Sequence, residues 1–322
     1  MNNNELKRNF RRAARIFLLS TVIAFAVALL AYAVVILFSE PEPVNETISG
    51  TTNGALAKVE MGARYVGLTA SIFLFNSIAA LTGSAGAALV VFIHRMLLSD
   101  LALRQKHDTY TAVSRKIEEI GQFLFRGIEW VFPAAFAGFP EEPESQRDSV
   151  WNYYGYDRRH YRIFASALPW APPFLVCAAN GAILGLLLAF VVANGADGGM
   201  ELYGTGGLIT GALAGLVYFA AFIVPHGIIE IPALLLAAAL GYGFAVRHSA
   251  LVQRELLFAG DSAGDLDMDI RKSGECAFAW LKSPGFRKWM LVCICMLFVA
   301  ACVETLITPG LAGWVIGGWA YS

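Results

Sequence analysis

From Ile16 to Phe38 the chain runs for about 23 residues without one charged side chain, and further apolar tracts follow at Tyr65 to Ile93, Trp170 to Asn194, Leu202 to Val246 and Trp289 to Thr308. About 20 such residues in a helix cross the ~30 Å hydrocarbon layer of a bilayer, where a chain must satisfy its backbone hydrogen bonds internally. With 57% hydrophobic and 15% charged residues over 322 positions, a soluble domain is excluded. The expectation is an all-α, polytopic helical membrane protein of about five spans. No zinc-finger or nucleotide-binding pattern is present, and nothing specifies an organic cofactor or a nucleic-acid partner.

Charge sets the expected topology. Lys7, Arg8, Arg11, Arg12 and Arg15 against Glu5 place the N-terminus in the cytoplasm. The first apolar run exceeds a typical signal-peptide core and reads as a retained span. Acid-rich Ser39 to Arg64 suits the outside and carries Asn45-Glu46-Thr47, an N-glycosylation sequon of a kind that often arises by chance. Three parts follow: 1–94 with two spans and the external loop, a cytoplasmic insertion at 95–169, and a membrane bundle at 170–322 with a basic cytoplasmic loop at 247–288. The C-terminus is then external.

Within the insertion, Leu97, Leu101, Val113, Ile117, Ile120 and Leu124 recur at helical spacing and suggest an amphipathic arm extending the second span. Glu141 to Asp148 reads as a polar linker. Trp151, Tyr153, Tyr154 and Tyr156 beside Arg158, Arg159 and His160 read as a lipid-headgroup boundary. Asp261, Asp265, Asp267 and Asp269 lack calcium-loop spacing and read as a solvated turn. The cysteines, four of them in apolar tracts, read as small hydrophobes rather than disulfide partners.

The tract from Leu202 to Val246 is the anomaly. Pro225 removes a backbone donor, Gly227 frees the backbone, and Pro232 suits a first helical turn, so a broken helix is expected there. Two crossings within the tract would place the basic loop outside. The Gly-rich half, Leu202 to Val224, is therefore expected to be re-entrant or tilted, packed through Gly207, Gly211 and Gly215.

His226 and Glu230 share a helix face if one helix holds both. With Asn76, Asn180 and Glu304 they make up the candidate site, drawn from four apolar segments; no metal can be named from the sequence. Such groups in apolar spans face protein or water. They suit a structural polar knot, an ion or proton pathway or, with less support, an acid–base pair.

F-N-S (Phe75 to Ser77), N-G-A-I-L-G (Asn180 to Gly185), P-H-G-I-I-E-I-P-A (Pro225 to Ala233) and A-C-V-E-T-L-I-T-P (Ala301 to Pro309) together resemble the stage II sporulation protein M family. The long insertion and Gly-rich tract depart from that pattern. The resemblance implies an integral membrane scaffold, without enzymatic activity, that organises membrane or envelope proteins in the lipid bilayer. A homo-oligomer is compatible with it. The alternative is a small-ion or proton-coupled transporter acting at His226 and Glu230. An intramembrane hydrolase trails, because no nucleophile or metal triad accompanies the pair.

Overall fold

The computed structural model describes residues 2–38, 59–131, 139, 149–154 and 158–320. The Asn45 sequon and the Glu141 to Asp148 linker lie outside the described residues. Regular structure among the described residues is all helical: α1 (Asn3–Phe38), a helical stretch at 59–66, α2 (Leu68–Leu89), a tight turn of helix (Val90–His94), α3 (Arg95–Arg104), α4 (Asp108–Val131), α5 (Val150–Tyr154), α6 (Arg158–Ala167), α7 (Ala171–Tyr203), α8 (Gly207–Arg254), α9 (Ala263–Lys282), α10 (Pro284–Leu306) and α11 (Thr308–Ala320). Among the described residues, four helical stretches are long and apolar enough to cross a membrane: Asn3–Val34, Leu68–Arg104, Arg158–Arg254, which contains α7 and α8, and Pro284–Leu306. The contacts divide the chain into one unit of Ser84–Pro172 with Gly241–Arg287, and another of Asn2–Gly83, Pro173–Leu240 and Lys288–Ser322.

The second unit is built on close backbone contact. A Cβ at Gly181 would strike the carbonyl of Phe17, and one at Gly185 the carbonyl of Thr21, so the Gly-xxx-Gly pair of α7 lies directly on α1. The same logic closes the α7–α8 hairpin. Gly207 faces Gly199, Gly211 faces Gly195 and Gly215 faces Val191, each so near that a side chain would meet backbone. Gly204, at φ +65°, makes the turn between them in a conformation few other residues adopt. On the outer side of α1, Leu18, Leu19, Val22, Ile23, Val27 and Leu30 stay exposed, a surface that suits lipid.

The expected break at Pro225 does not occur. Helix α8 runs unbroken through Pro225, Gly227 and Pro232 for 48 residues, about 72 Å at the usual rise. Each proline forfeits one N–H bond, whereas ending a helix strands up to four carbonyls and four N–H groups in apolar surroundings. Continuing the helix leaves fewer groups unpaired. The Gly-rich tract is thus the first part of α8 rather than a separate re-entrant segment, and its glycines pack as the spacing suggests.

The first unit has an aromatic core of Trp151, Tyr154, Tyr161 and Phe258 with Leu101, Val252, Leu257, Leu266 and Ile270. This corrects the headgroup-boundary reading of the Trp151 segment: Trp151 and Tyr154 are fully buried. Burial is possible because their polar ends find backbone acceptors. Trp151 Nε1 donates to the carbonyl of Gly260 at 2.8 Å, and Tyr154 donates to that of Leu97 at 2.6 Å.

The amphipathic arm is interrupted at 105–107, and α4 begins at Asp108. Arg104 bridges the interruption, bonding Asp100 at 2.7 Å and pairing with Glu118 of α4. The acidic run is not a solvated turn. Asp261 accepts a bond from Ser149 at 2.6 Å and pairs with Arg158. Asp265 completes a capping box with Ser262 at the start of α9, and Asp269 is buried. Local capping and side-chain pairing therefore engage Asp261, Asp265 and Asp269. The five cysteines are free, with Cys177 and Cys293 buried and Cys295 exposed.

Candidate functional site

In the second unit, unbroken α8 carries His226 and Glu230 four residues apart, so one helix face presents both side chains. The geometry that the sequence made conditional follows from the absence of a break. Across from them, α10 supplies Glu304 near its C-terminal end. Ligand-capable atoms of His226, Glu230 and Glu304 all lie within 4.8 Å of one another, and each residue is half-buried. From α2, Asn76 reaches the same place and lines one cavity with Glu230. Nδ1 of His226 is buried without a hydrogen-bond partner.

These four residues line a cavity of about 500 Å³, with Val59, Glu60, Leu68, Ile72, Phe222, Ile223, Thr305, Thr308 and Pro309 completing the wall. Three acids and a histidine therefore share one cavity. No lysine or arginine is among the described residues lining it. Glu60 is exposed and gives the cavity a solvent-facing carboxylate.

The fifth expected member stands apart. Asn180 is not among the cavity residues; its amide donates to the carbonyl of Val176 at 2.8 Å, one turn back on α7. That bond engages the half-buried amide within its own helix, and Gly181 beside it makes the contact with α1. Pro225, Gly227 and Pro232 are helical positions, not a break.

Some participants were missed in the sequence. Thr69 and Thr305 join hydroxyls at 2.9 Å between α2 and α10, and Ser71 donates to the Val59 carbonyl at 2.7 Å. Thr305 follows Glu304 directly, so the E-T pair was a visible signal; nothing in the sequence paired it with Thr69. Thr305 and Thr308 both also donate to carbonyls of their own chain segment, at 2.9 Å to Ala301 and 3.2 Å to Val303. Phe73 and Phe298 meet edge to face at 5.6 Å, packing α2 on α10.

Chemically, two facing carboxyls and an imidazole can share protons or coordinate a cation. Placing them in an apolar surround makes either neutralisation necessary. Residues 161–309, just under half of the chain, match the family model described as Stage II sporulation protein M. The matched span contains Asn180, His226, Glu230 and Glu304 and ends at Pro309; Asn76 precedes it. No curated protein and no solved structure matches the chain.

Proposed function

Taking as premise that the chain is a membrane protein of the stage II sporulation protein M type, we propose that it is a scaffold. Its helical bundle holds a folded cytoplasmic module where membrane or envelope proteins dock. The observation that carries this reading is α4. Val113, Ile117, Ile120 and Phe123 are exposed along one side of it, while Arg104 anchors the helix through Glu118. An apolar face held out by an ion pair, rather than folded into the core, suits a binding surface. Beside it, Ile117, Gly121, His160, Tyr161 and Phe164 line a groove of about 420 Å³.

Topology fits the same reading. In this reading α8 crosses once, so that the basic segment 247–288 lies on the side of the basic N-terminus and the C-terminus on the other, as the charge distribution favours. The sequence had reached that parity by treating half of the tract as re-entrant.

Photo-crosslinking from positions 117 and 123 in living cells tests the proposal. Discrete protein adducts at both positions, lost on Ile120→Glu, support docking; adducts with lipid alone refute it.

The ion or proton pathway stays as the second reading, favoured by the acidic cavity. It predicts flux in reconstituted vesicles that Glu230→Gln abolishes; equal leakage from both proteins removes it. An intramembrane hydrolase draws less support, because the cavity's threonine hydroxyls are engaged with backbone carbonyls.

A further inference from the structure

We propose that His226, Glu230 and Glu304 bind one divalent transition-metal cation of the zinc type. Three observations converge on this assignment. The ligand atoms lie within 4.8 Å of one another, compared with roughly 3.4 Å around tetrahedral zinc having N and O ligands at about 2.0–2.2 Å. The glutamate side chains, with three rotatable bonds each, are the parts of the site free to close that difference.

Charge supplies the second argument. Two carboxylates and a neutral imidazole offer −2 in a cavity where the described lining residues include no lysine or arginine. A divalent ion makes the centre neutral, which an apolar surround tolerates far better than two facing anions. Two carboxyls sharing a proton would also relieve the repulsion, but would leave the imidazole unused. The third observation concerns that imidazole: His226 Nδ1 is buried and has no hydrogen-bond partner.

Ligand type selects the class of ion. Calcium and magnesium favour all-oxygen sets, whereas an imidazole nitrogen beside carboxylates suits zinc and its first-row neighbours. Asn76 lines the same cavity as Glu230 and is the side chain available to orient that ligand from outside the coordination set, as partners of metal ligands commonly do. The cavity, about 500 Å³, has room for water as a further ligand. Glu60 adds an exposed carboxylate to the cavity lining.

The test uses the full chain in detergent, stripped with chelator and then dialysed against zinc or cobalt(II). Mass-spectrometric metal analysis should find one zinc per chain, and cobalt should give the visible absorption of a four- or five-coordinate site. His226→Ala and Glu304→Gln should weaken binding by more than about 100-fold and Asn76→Ala by about 10- to 100-fold at most, while Glu60→Gln keeps the stoichiometry. Should a ligand variant fail to fold, the wild-type cobalt spectrum decides. Monodisperse wild-type protein that retains no zinc or cobalt, metal held equally by wild type and folded ligand variants, or preferential uptake of calcium or magnesium overturns the assignment. Crosslinks from α4 read the scaffold proposal separately, so either idea can fail alone.

Discussion

The backbone N–H of Phe258 donates to Oδ2 of Asp269 at 2.7 Å, and this bond secures Phe258 at φ +64°, a left-handed conformation unusual for a bulky residue. Phe258 in turn packs its ring tilted against His94 and edge-on to Tyr161 in the core of its unit, with centroids 5.0 and 5.2 Å away. One buried carboxylate therefore positions an aromatic side chain through its backbone. Asp269→Ala should cost about 1–3 kcal/mol, since the N–H loses its acceptor. Asp269→Asn keeps an acceptor oxygen and should recover most of that loss in chemical unfolding of the detergent-solubilised chain.

The same residue gives a pH dependence. Burial raises the Asp269 pKa above its ordinary 3.8, outweighing the Phe258 N–H, which lowers it. A raised folded value means that the contribution is fully present below the unfolded pKa and is lost as pH rises through the folded one. The melting temperature of wild type relative to Asp269→Asn should therefore fall as pH rises from below 4 through the raised value. A flat difference would show that burial does not govern this carboxyl.

Arg104 should matter more than a surface ion pair. Its side chain is 5% exposed, it bonds Asp100 and Glu118, and its guanidinium lies 5.0 Å from the ring centre of Tyr154. Arg104→Ala should cost about 1.5–3 kcal/mol, release α4 to limited proteolysis near residues 105–131, and diminish crosslinking from position 117. Unchanged cleavage would mean that α4 is held by other contacts.

The α7–α8 hairpin predicts a sharp steric contrast. A Cβ at Gly211 would sit 2.9 Å from the Cα of Gly199 and nearer still to the Gly195 carbonyl, whereas one at Gly198 meets nothing within 4 Å. Gly211→Leu should abolish most of the monodisperse peak in fluorescence-detected size exclusion. Gly198→Ala should leave it close to wild type.

The sequence carried the helical membrane class, the glycine contacts and three of the four residues that form the polar cluster, because long apolar runs, small-residue spacing and isolated charges are local signals. It also singled out the fourth, Asn76, from its place in mid-span. What it missed depended on competition between local and tertiary effects. Pro225 and Gly227 read as a break, but the penalty of unpaired backbone in an apolar setting favours one continuous helix. Asn180 resembled Asn76 in sequence, yet its amide bonds a carbonyl one turn away on its own helix. Trp151 and Tyr154 carried the composition of an interfacial belt, and only the positions of the Gly260 and Leu97 carbonyls make their burial affordable. The buried role of Asp269 was invisible for the same reason: its partner, Phe258, is identified by a backbone bend rather than by residue type.

The central claim is that ionisable side chains from α8 and α10 converge in a protein-lined cavity able to hold a cation. An experimental map of the zinc-loaded protein, with anomalous data at the zinc absorption edge, tests it most directly. The account predicts one peak bonded to the imidazole of His226 and the carboxyls of Glu230 and Glu304, with Asn76 behind Glu230. A map in which these groups point to lipid or lie far apart, or in which zinc sits elsewhere, would contradict it.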